Sequence, residues 1–184
     1  MQTVSERADE VLGYWFGELT PQQHFAKDDA MDAVIHDRFG ALRDELLTSN
    51  AAGWQDSPET MLAAVIVLDQ FSRNLFRGQA EAFAADPLSV DLALSAIEKG
   101  WHKQFEPARR AFLYMPLMHC EDKGVQLFSL RCFADEGLEF NLKFAQDHAA
   151  VIEKFGRYPS RNAALGRAST EAELAYLAQP GAGW

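Results

Sequence analysis

The sequence predicts an all-α protein of seven to nine helices. Apolar residues recur every three or four positions along nearly the whole chain, which is the spacing of a helix with one buried face. Sustained alternation of apolar and polar residues is absent, as are the Asn-Gly and Asp-Gly pairs typical of β-hairpins. The 184 residues, 48% of them hydrophobic, are enough for one sizeable core. We therefore expect residues 1–184 to form a single domain.

Three helices are predicted in the first part of the chain. The first covers residues 4–16 and the second residues 29–47, each with a stripe of apolar side chains. The third begins at Ser57-Pro58, where the serine can cap the helix and the proline suits the first turn. It runs towards Gly78.

The second part of the chain contains the remaining predicted helices. Asp86-Pro87 is interpreted as a cap followed by a first-turn proline, and Thr170 opens a capping box. Pro116 is expected to kink its helix or to start a new turn. Trp184 is expected to anchor the tail by packing on the body. The predicted helices cover residues 86–99, a segment opening at 106–107, and residues 125–133, 138–155 and 170–177.

The charge balance argues against bulk nucleic-acid binding. The net charge is -10 and the isoelectric point is near 4.9, so no general positive field attracts phosphates. The charge is uneven, however: residues 1–56 carry eleven acids and four bases, whereas residues 154–170 carry four bases and no acid. A local basic segment is therefore available for a smaller anionic partner.

The sequence favours a cytoplasmic protein without a membrane segment. Cys120 and Cys132 are too few for the disulfide framework of a small secreted domain. The N-terminus is polar and acidic, unlike a signal peptide. No apolar run approaches the roughly 20 residues that span a bilayer.

The central stretch, residues 58–78, changes character midway. Residues 61–68 are apolar at every position, so a helix here would be buried on all sides. The following turns place polar residues together on one side of the helix: Asp69, Gln70, Arg73, Asn74 and Arg77. Two guanidinium groups on one face suit a carboxylate or phosphate ligand. An exposed Asp69–Arg73 pair and a buried structural network remain open as alternatives.

A second cluster of candidate residues lies at positions 119–122. His119 and Glu121 are candidate groups for proton transfer. Because they are two residues apart, they would face different ways on a helix. No HExxH or CxxC motif is present, and no metal site is predicted. The alternative is a partly buried histidine with a structural hydrogen bond.

The third cluster is the irregular segment 155–170. Its candidate ligand-binding residues are Arg157, Arg161, Asn162 and Arg167. With its three arginines, Asn162 and two glycines ahead of a helix, the segment could form an anion-binding loop. It does not contain the GxxxxGK[ST] phosphate-binding motif. Alternatively, its arginines tie helix ends to acidic residues elsewhere in the chain.

Four stretches of the chain together resemble the DUF924 family of bacterial proteins of unknown function. They are VLDQFSRNLFRG, AFAADP, YMPLMHCED and FGRYPSRNAALGRAST. The resemblance implies a tetratricopeptide-like fold of antiparallel helix pairs, and it brings no activity. The chain differs from the family pattern at three positions: proline is common in place of Ser72, serine in place of Cys120 and histidine in place of Ser160. It also implies that the three polar clusters belong to one set, so we expect them to converge in space.

The leading functional hypothesis is a helical binding protein. Its arginine-lined site would hold the anionic group of a small molecule, or the end of a peptide or RNA. One alternative is a hydrolase or transferase in which His119 or Glu121 moves a proton. Another is a protein-interaction scaffold whose polar residues only fix helix packing. No cofactor is predicted, and the ligand and the oligomeric state are left open.

Overall fold

In the computed structural model, which describes residues 2–183, every regular element is helical. Nine α-helical segments follow one another along this part of the chain: α1 (Val4–Gly13), α2 (Asp29–Ser49), α3 (Pro58–Ile66), α4 (Ser72–Leu75), α5 (Asp86–Glu98), α6 (Pro107–His119), α7 (Lys123–Phe133), α8 (Glu139–Phe155) and α9 (Glu171–Leu177). Short 3-10 turns link several of them. The predicted all-α class and helix number are confirmed.

The helix starts follow the capping signals in the sequence, with one exception. The side chains of Thr3, Ser57 and Thr170 accept hydrogen bonds from backbone N–H groups in the first turns of α1, α3 and α9. The interpretation of Asp86 as a cap is wrong. Helix α5 already begins at Asp86, Ala85 holds the cap position, and the Asp86 carboxylate points to two arginines instead.

The central rod of the fold consists of α3 and α4, joined by a π-helical turn at Val67–Phe71. Each of residues 61–68 is 0% exposed, which confirms the prediction of a helix buried on all sides. Helix α3 contacts α1, α5 and α6, while the π turn contacts α2 and α5. Helices α1, α2, α5 and α6 therefore surround this rod, and its C-terminal end carries the polar residues.

The second half of the chain packs in sequence order. Helix α6 contacts α5, α7 and α8, and α7 contacts α8. This order is compatible with tetratricopeptide-like pairing, which stays a prediction. Helix α6 continues through Pro116 to His119, so the proline does not start a new helix.

None of the helices within residues 2–183 combines the length and the apolar character needed to cross a membrane. The expected packing of Trp184 concerns a residue outside the described range.

We expect Phe71→Ala to destabilise the protein by about 3–5 kcal/mol, because it removes a fully buried ring from the core. The Phe71 ring lies 4.9 Å from that of Phe39 and 5.5 Å from that of Trp15, measured between centroids. Urea denaturation measures the free energy of unfolding. The matched control is Phe140→Ala, because that ring is 65% exposed and its loss should change stability little. Equal losses in the two variants would contradict the placement of the core.

Candidate functional site

A pocket of about 480 Å³ opens beside the C-terminal end of the central rod. Its wall combines residues from the rod, from the end of α6, from α8 and from the segment that follows α8. Those used below are Gln70, Arg73, His119, His148, Tyr158 and Arg161. The structure thus brings one part of each predicted polar cluster to the same pocket.

Two arginines of this wall, from distant parts of the chain, share the carboxylate of Asp86, which is not itself part of the lining. Arg73 donates two hydrogen bonds to Asp86, from Nη1 to Oδ1 at 2.9 Å and from Nη2 to Oδ2 at 3.1 Å. Arg161 donates from Nη1 to Oδ2 of the same Asp86, also at 3.1 Å. The three side chains are 21%, 13% and 11% exposed for Arg73, Asp86 and Arg161. Because Arg73 also pairs with Asp69 at 3.1 Å, two guanidinium groups and two carboxylates meet in this poorly solvated place.

The Arg161 guanidinium is held rigidly by aromatic rings. Its central carbon lies 4.6 Å from the ring centroid of Phe83 and 4.7 Å from that of Tyr158. Nη2 donates to the backbone oxygen of His119 at 2.8 Å. Burial, with the nearby positive charge of Arg73, lowers the pKa of Arg161 from its ordinary value. The group is oriented before any ligand arrives, and it lies where a further negative charge would be favourable.

Asp69 and His119 form a buried pair next to these arginines. The Asp69 side chain is 1% exposed, and its Oδ1 lies 2.8 Å from Nδ1 of His119. Burial alone would raise the pKa of Asp69, but Arg73 and His119 lower it by more than burial raises it. The pKa is therefore below its ordinary value, and the carboxylate is ionised. Burial lowers the pKa of His119 below its ordinary value, and Asp69 offsets only part of this. At neutral pH the imidazole is therefore uncharged and donates its Nδ1 proton to Asp69.

The other ring nitrogen of His119 is available to the pocket. Nε2 accepts no hydrogen bond from any residue between positions 2 and 183. Nε2 is also not fully buried, and His119 lines the pocket. Because Nδ1 carries the proton, Nε2 presents a lone pair.

The π turn explains why Asp69 and Gln70 both reach this place. A π turn contains one residue more than an α turn, and such turns are frequent at functional sites. Asp69 and Gln70 are both buried in the turn, and the Gln70 amide donates from Nε2 to Oδ2 of Asp69 at 2.6 Å. The Asp69–Arg73 pair at 3.1 Å is thus buried and part of a larger network, and not an exposed pair on a helix surface.

Asn74 and Arg77 line the same pocket, but a carboxylate from α2 occupies their polar atoms. Asn74 donates from Nδ2 to Oδ1 of Asp32 at 2.7 Å. Arg77 donates to both oxygens of Asp32, at 2.5 and 2.9 Å. Arg77 is 34% exposed. These contacts tie the C-terminal end of the rod to α2.

Glu121 lies outside the lining of this pocket, and its carboxylate is fully engaged. Arg167 donates to both of its oxygens, at 2.7 and 2.9 Å, and the backbone N–H of Tyr158 donates at 2.7 Å. Burial would raise the pKa of Glu121, but the hydrogen bonds from Arg167 and Tyr158 lower it on balance. Glu121 thus joins the end of α6 to the segment after α8.

The other members of the third cluster bind acids or each other. Arg157 donates to both oxygens of Glu173, at 2.7 and 2.8 Å. Asn162 accepts from Nε of Arg167 at 3.0 Å and donates to Ser169 at 3.0 Å. None of these side chains lines the pocket. They fix the path of the chain between α8 and α9.

Sequence reasoning missed two residues of the site: Asp86, which does not line the pocket itself, and His148, which does. Asp86 was interpreted as a cap, although it belongs to the AFAADP stretch, which carries part of the family resemblance. His148 lies on α8, 5% exposed, with its ring centroid 5.9 Å from that of His119. No sequence motif surrounds His148, and it reaches the pocket only through the packing of α8 against α6.

The pocket carries a small excess of positive charge. Its cations are Lys27, Arg73, Arg77 and Arg161, and the carboxylates paired with them are Asp32, Asp69 and Asp86. With its histidines uncharged, this amounts to one net positive charge. No metal-binding group of three or more His, Cys, Asp or Glu side chains occurs in the described part of the chain.

We expect Asp86→Asn to destabilise the protein by roughly 3 kcal/mol, because it leaves two partly buried guanidinium groups without their shared carboxylate. Chemical denaturation measures the loss. The control is Asp37→Asn, an 84% exposed residue whose removal should cost less than about 1 kcal/mol. If the two variants were equally stable, the shared carboxylate would contribute nothing to the fold.

We expect stability to fall as the pH drops below 6.5, in part because of His148. Nδ1 of His148 donates to the Phe144 carbonyl at 2.7 Å, and burial lowers its pKa to about 3. Between pH 6.5 and 3 this histidine is protonated in the unfolded chain but not in the folded chain, so acidification favours unfolding. The loss from this group is about 2 kcal/mol between pH 6.5 and pH 5.

Denaturation of His148→Gln at these two pH values tests this expectation. The variant should lose about 2 kcal/mol less than the unmutated protein on acidification. His36→Asn serves as control, since that ring is 75% exposed and should leave the pH dependence unchanged. The same acid loss in all three proteins would show that His148 is not buried as described.

Comparisons with known proteins agree on the relationship of this chain. A search of curated proteins found no match. A solved structure of a protein of unknown function from Agrobacterium tumefaciens is similar, with a TM-score of 0.91 and 34% sequence identity over 96% of this chain and 99% of that chain. The family described as "Bacterial protein of unknown function (DUF924)" matches residues 11–181. The chain therefore belongs to the DUF924 family.

Proposed function

We propose that this protein binds a small anionic molecule, whose carboxylate or phosphate group is held by Arg73 and Arg161. The observation that carries this proposal is the sharing of Asp86 by both guanidinium groups at the wall of the pocket. Asp69 also pairs with Arg73, but several N–H donors of the two guanidinium groups remain unused. A ligand anion would supply the missing partner.

The size and rigidity of the pocket support a small ligand. Its volume of about 480 Å³ falls within the roughly 300–1,000 Å³ of typical small-molecule sites. Arg161 is held between two rings, so little side-chain freedom is lost when it binds. Gln70 and Asn74 lie in the same wall, and their amide oxygens, unlike their N–H groups, would orient polar groups of the ligand.

The remaining residues of the predicted set support a structural role. Two bidentate ion pairs lie outside the pocket lining: Arg157 with Glu173, and Arg167 with Glu121. Asn162 accepts a hydrogen bond from Arg167. These contacts hold the segment that carries Arg161. We therefore assign ligand contact to the pocket-facing arginines and positioning to this second group.

We also propose a cytoplasmic location and tetratricopeptide-like pairing of the helices. Cys120 and Cys132 are free thiols, which suits a reducing compartment. The sequential packing of α5 to α8 supports the pairing.

We expect inorganic phosphate or succinate to raise the melting temperature of the full chain. At 100 times its dissociation constant, a ligand stabilises the native state by about 2.7 kcal/mol. A thermal-shift titration measures this, with sodium chloride at equal ionic strength as reference. Arg161→Gln should abolish the ligand-induced shift, whatever its own melting temperature.

The control is Arg131→Gln, which removes the same charge from an exposed site on α7 that does not line the pocket. It should keep the shift. No shift with phosphate, succinate or a panel of small phosphorylated and carboxylated molecules would refute the binding proposal. A shift produced only by peptides or RNA ends would replace the small ligand by a macromolecular one.

A further inference from the structure

We propose that Asp69 and His119 form a general base that activates water, so that the pocket hydrolyses small anionic esters. This inference rests on the proposed function, because Arg73 and Arg161 must first hold the anionic group of the ester. It adds a reaction to a binding site. The site supplies a base, a rigid orienting partner for that base and an anchor for the substrate.

The base has the hydrogen-bonding pattern that proton transfer requires. The Nδ1–H of His119 is committed to an ionised, 1% exposed carboxylate, which fixes the tautomer and the ring orientation. Nε2 is left with its lone pair, and His119 lines the pocket. The carboxylate also stabilises the imidazolium that forms when Nε2 takes a proton, the role of the third member of a catalytic triad.

Three contacts fix the Asp69 carboxylate itself. Gln70, Arg73 and His119 each donate a hydrogen bond or ion pair to it, at 2.6, 3.1 and 2.8 Å. Arg73 bridges Asp69 and Asp86, so one side chain links the base to the anion anchor. A ligand bound at Arg73 and Arg161 is therefore held next to the base. This arrangement serves catalysis better than separate sites would.

The nucleophile comes from solvent and not from the chain. Ser72 is 0% exposed, and its hydroxyl accepts from Nε of Arg43 at 3.1 Å. Burial raises the pKa of the Cys120 thiol, which disfavours a thiolate. Ser160 lines the pocket, but within residues 2–183 no hydroxyl or thiol is hydrogen-bonded to His119. A water molecule on Nε2 fits this arrangement.

The reaction balances without a cofactor. Nε2 of His119 takes one proton from water while the water oxygen forms a bond to the carbon or phosphorus of the ester. The bond to the leaving oxygen breaks, and that oxygen receives the proton from His119. The products are an acid and an alcohol. Arg73 and Arg161 compensate the negative charge that develops near the bound anion.

The test measures hydrolysis by the full chain with three esters. The anionic probes are 4-acetoxybenzoate, a carboxylic ester, and p-nitrophenyl phosphate, a phosphate ester; phenyl acetate is the neutral control. We expect turnover of one anionic probe, and a kcat at least about 100-fold lower in His119→Asn. The control His36→Asn, an exposed residue, should keep full activity. Which anionic probe reacts identifies the ester class.

Asp69 is a positioning residue, so its test needs a measurement that a loss of folded structure would not change in the same way. The rate should fall on acidification as His119 becomes protonated. In Asp69→Asn the negative charge that raises the pKa of His119 is lost, so this decline should move to lower pH. A lower rate with an unmoved pH profile would mean that Asp69 is only structural, and the proposed pair would be wrong.

Failure of this inference can be told apart from failure of the binding proposal. If phosphate, succinate and the panel of small phosphorylated and carboxylated molecules all fail to shift the melting temperature of the unmutated protein, binding itself is refuted. If phosphate binds to the unmutated protein and to His119→Asn, but neither anionic ester is hydrolysed in a His119-dependent way, the hydrolase inference is overturned. Nitrogen NMR of the unmutated protein adds a test that needs no variant. It should show His119 protonated at Nδ1, and protonation at Nε2 alone would overturn the proposed base.

Discussion

The sharing of Asp86 by Arg73 and Arg161 is the interaction on which the rest of the site depends. Asp86 starts α5, Arg73 lies on the central rod, and Arg161 lies 75 residues after Asp86 in the chain. One carboxylate thus fixes the mutual position of three segments. Through Arg73 it is also connected to Asp69 and His119. These side chains form one continuous network of ion pairs and hydrogen bonds, so the loss of one member changes the electrostatic environment of the others.

The arginines of this chain fall into two groups that composition does not distinguish. Arg157 and Arg167 each have a carboxylate to themselves and lie outside the pocket lining. Arg73 and Arg161 share Asp86 and face the pocket, and Arg73 also pairs with Asp69. A salt bridge satisfied on both sides contributes to packing, whereas a shared acid leaves donors for a ligand. The first group supports the segment on which Arg161 sits, so both are needed for the site.

Local patterns predicted the fold well and the site only in part. Helix periodicity and capping residues act over a few positions, which is why α1, α3 and α9 begin where the sequence indicates. The partner that Arg73 and Arg161 share, Asp86, lies 13 positions from the first and 75 from the second, and no local pattern encodes such contacts. Asp86 shows the limit most clearly, because Asp-Pro is equally typical of a helix start. A count of 100° per residue also cannot anticipate a π turn at Val67–Phe71.

The π turn has a consequence for how this site could arise and be lost. It holds one residue more than a regular turn, so it behaves as a single-residue insertion in an otherwise uniform helix. Removing one residue there would restore an ordinary α-helical turn, which has one position fewer for the buried residues Asp69 and Gln70. The apolar half before the turn and Arg73 after it would keep their places, while the polar contacts made from within the turn would be lost. The length of the chain at this one turn therefore decides whether the carboxylate beside His119 is present, and deletion of a single codon would remove it.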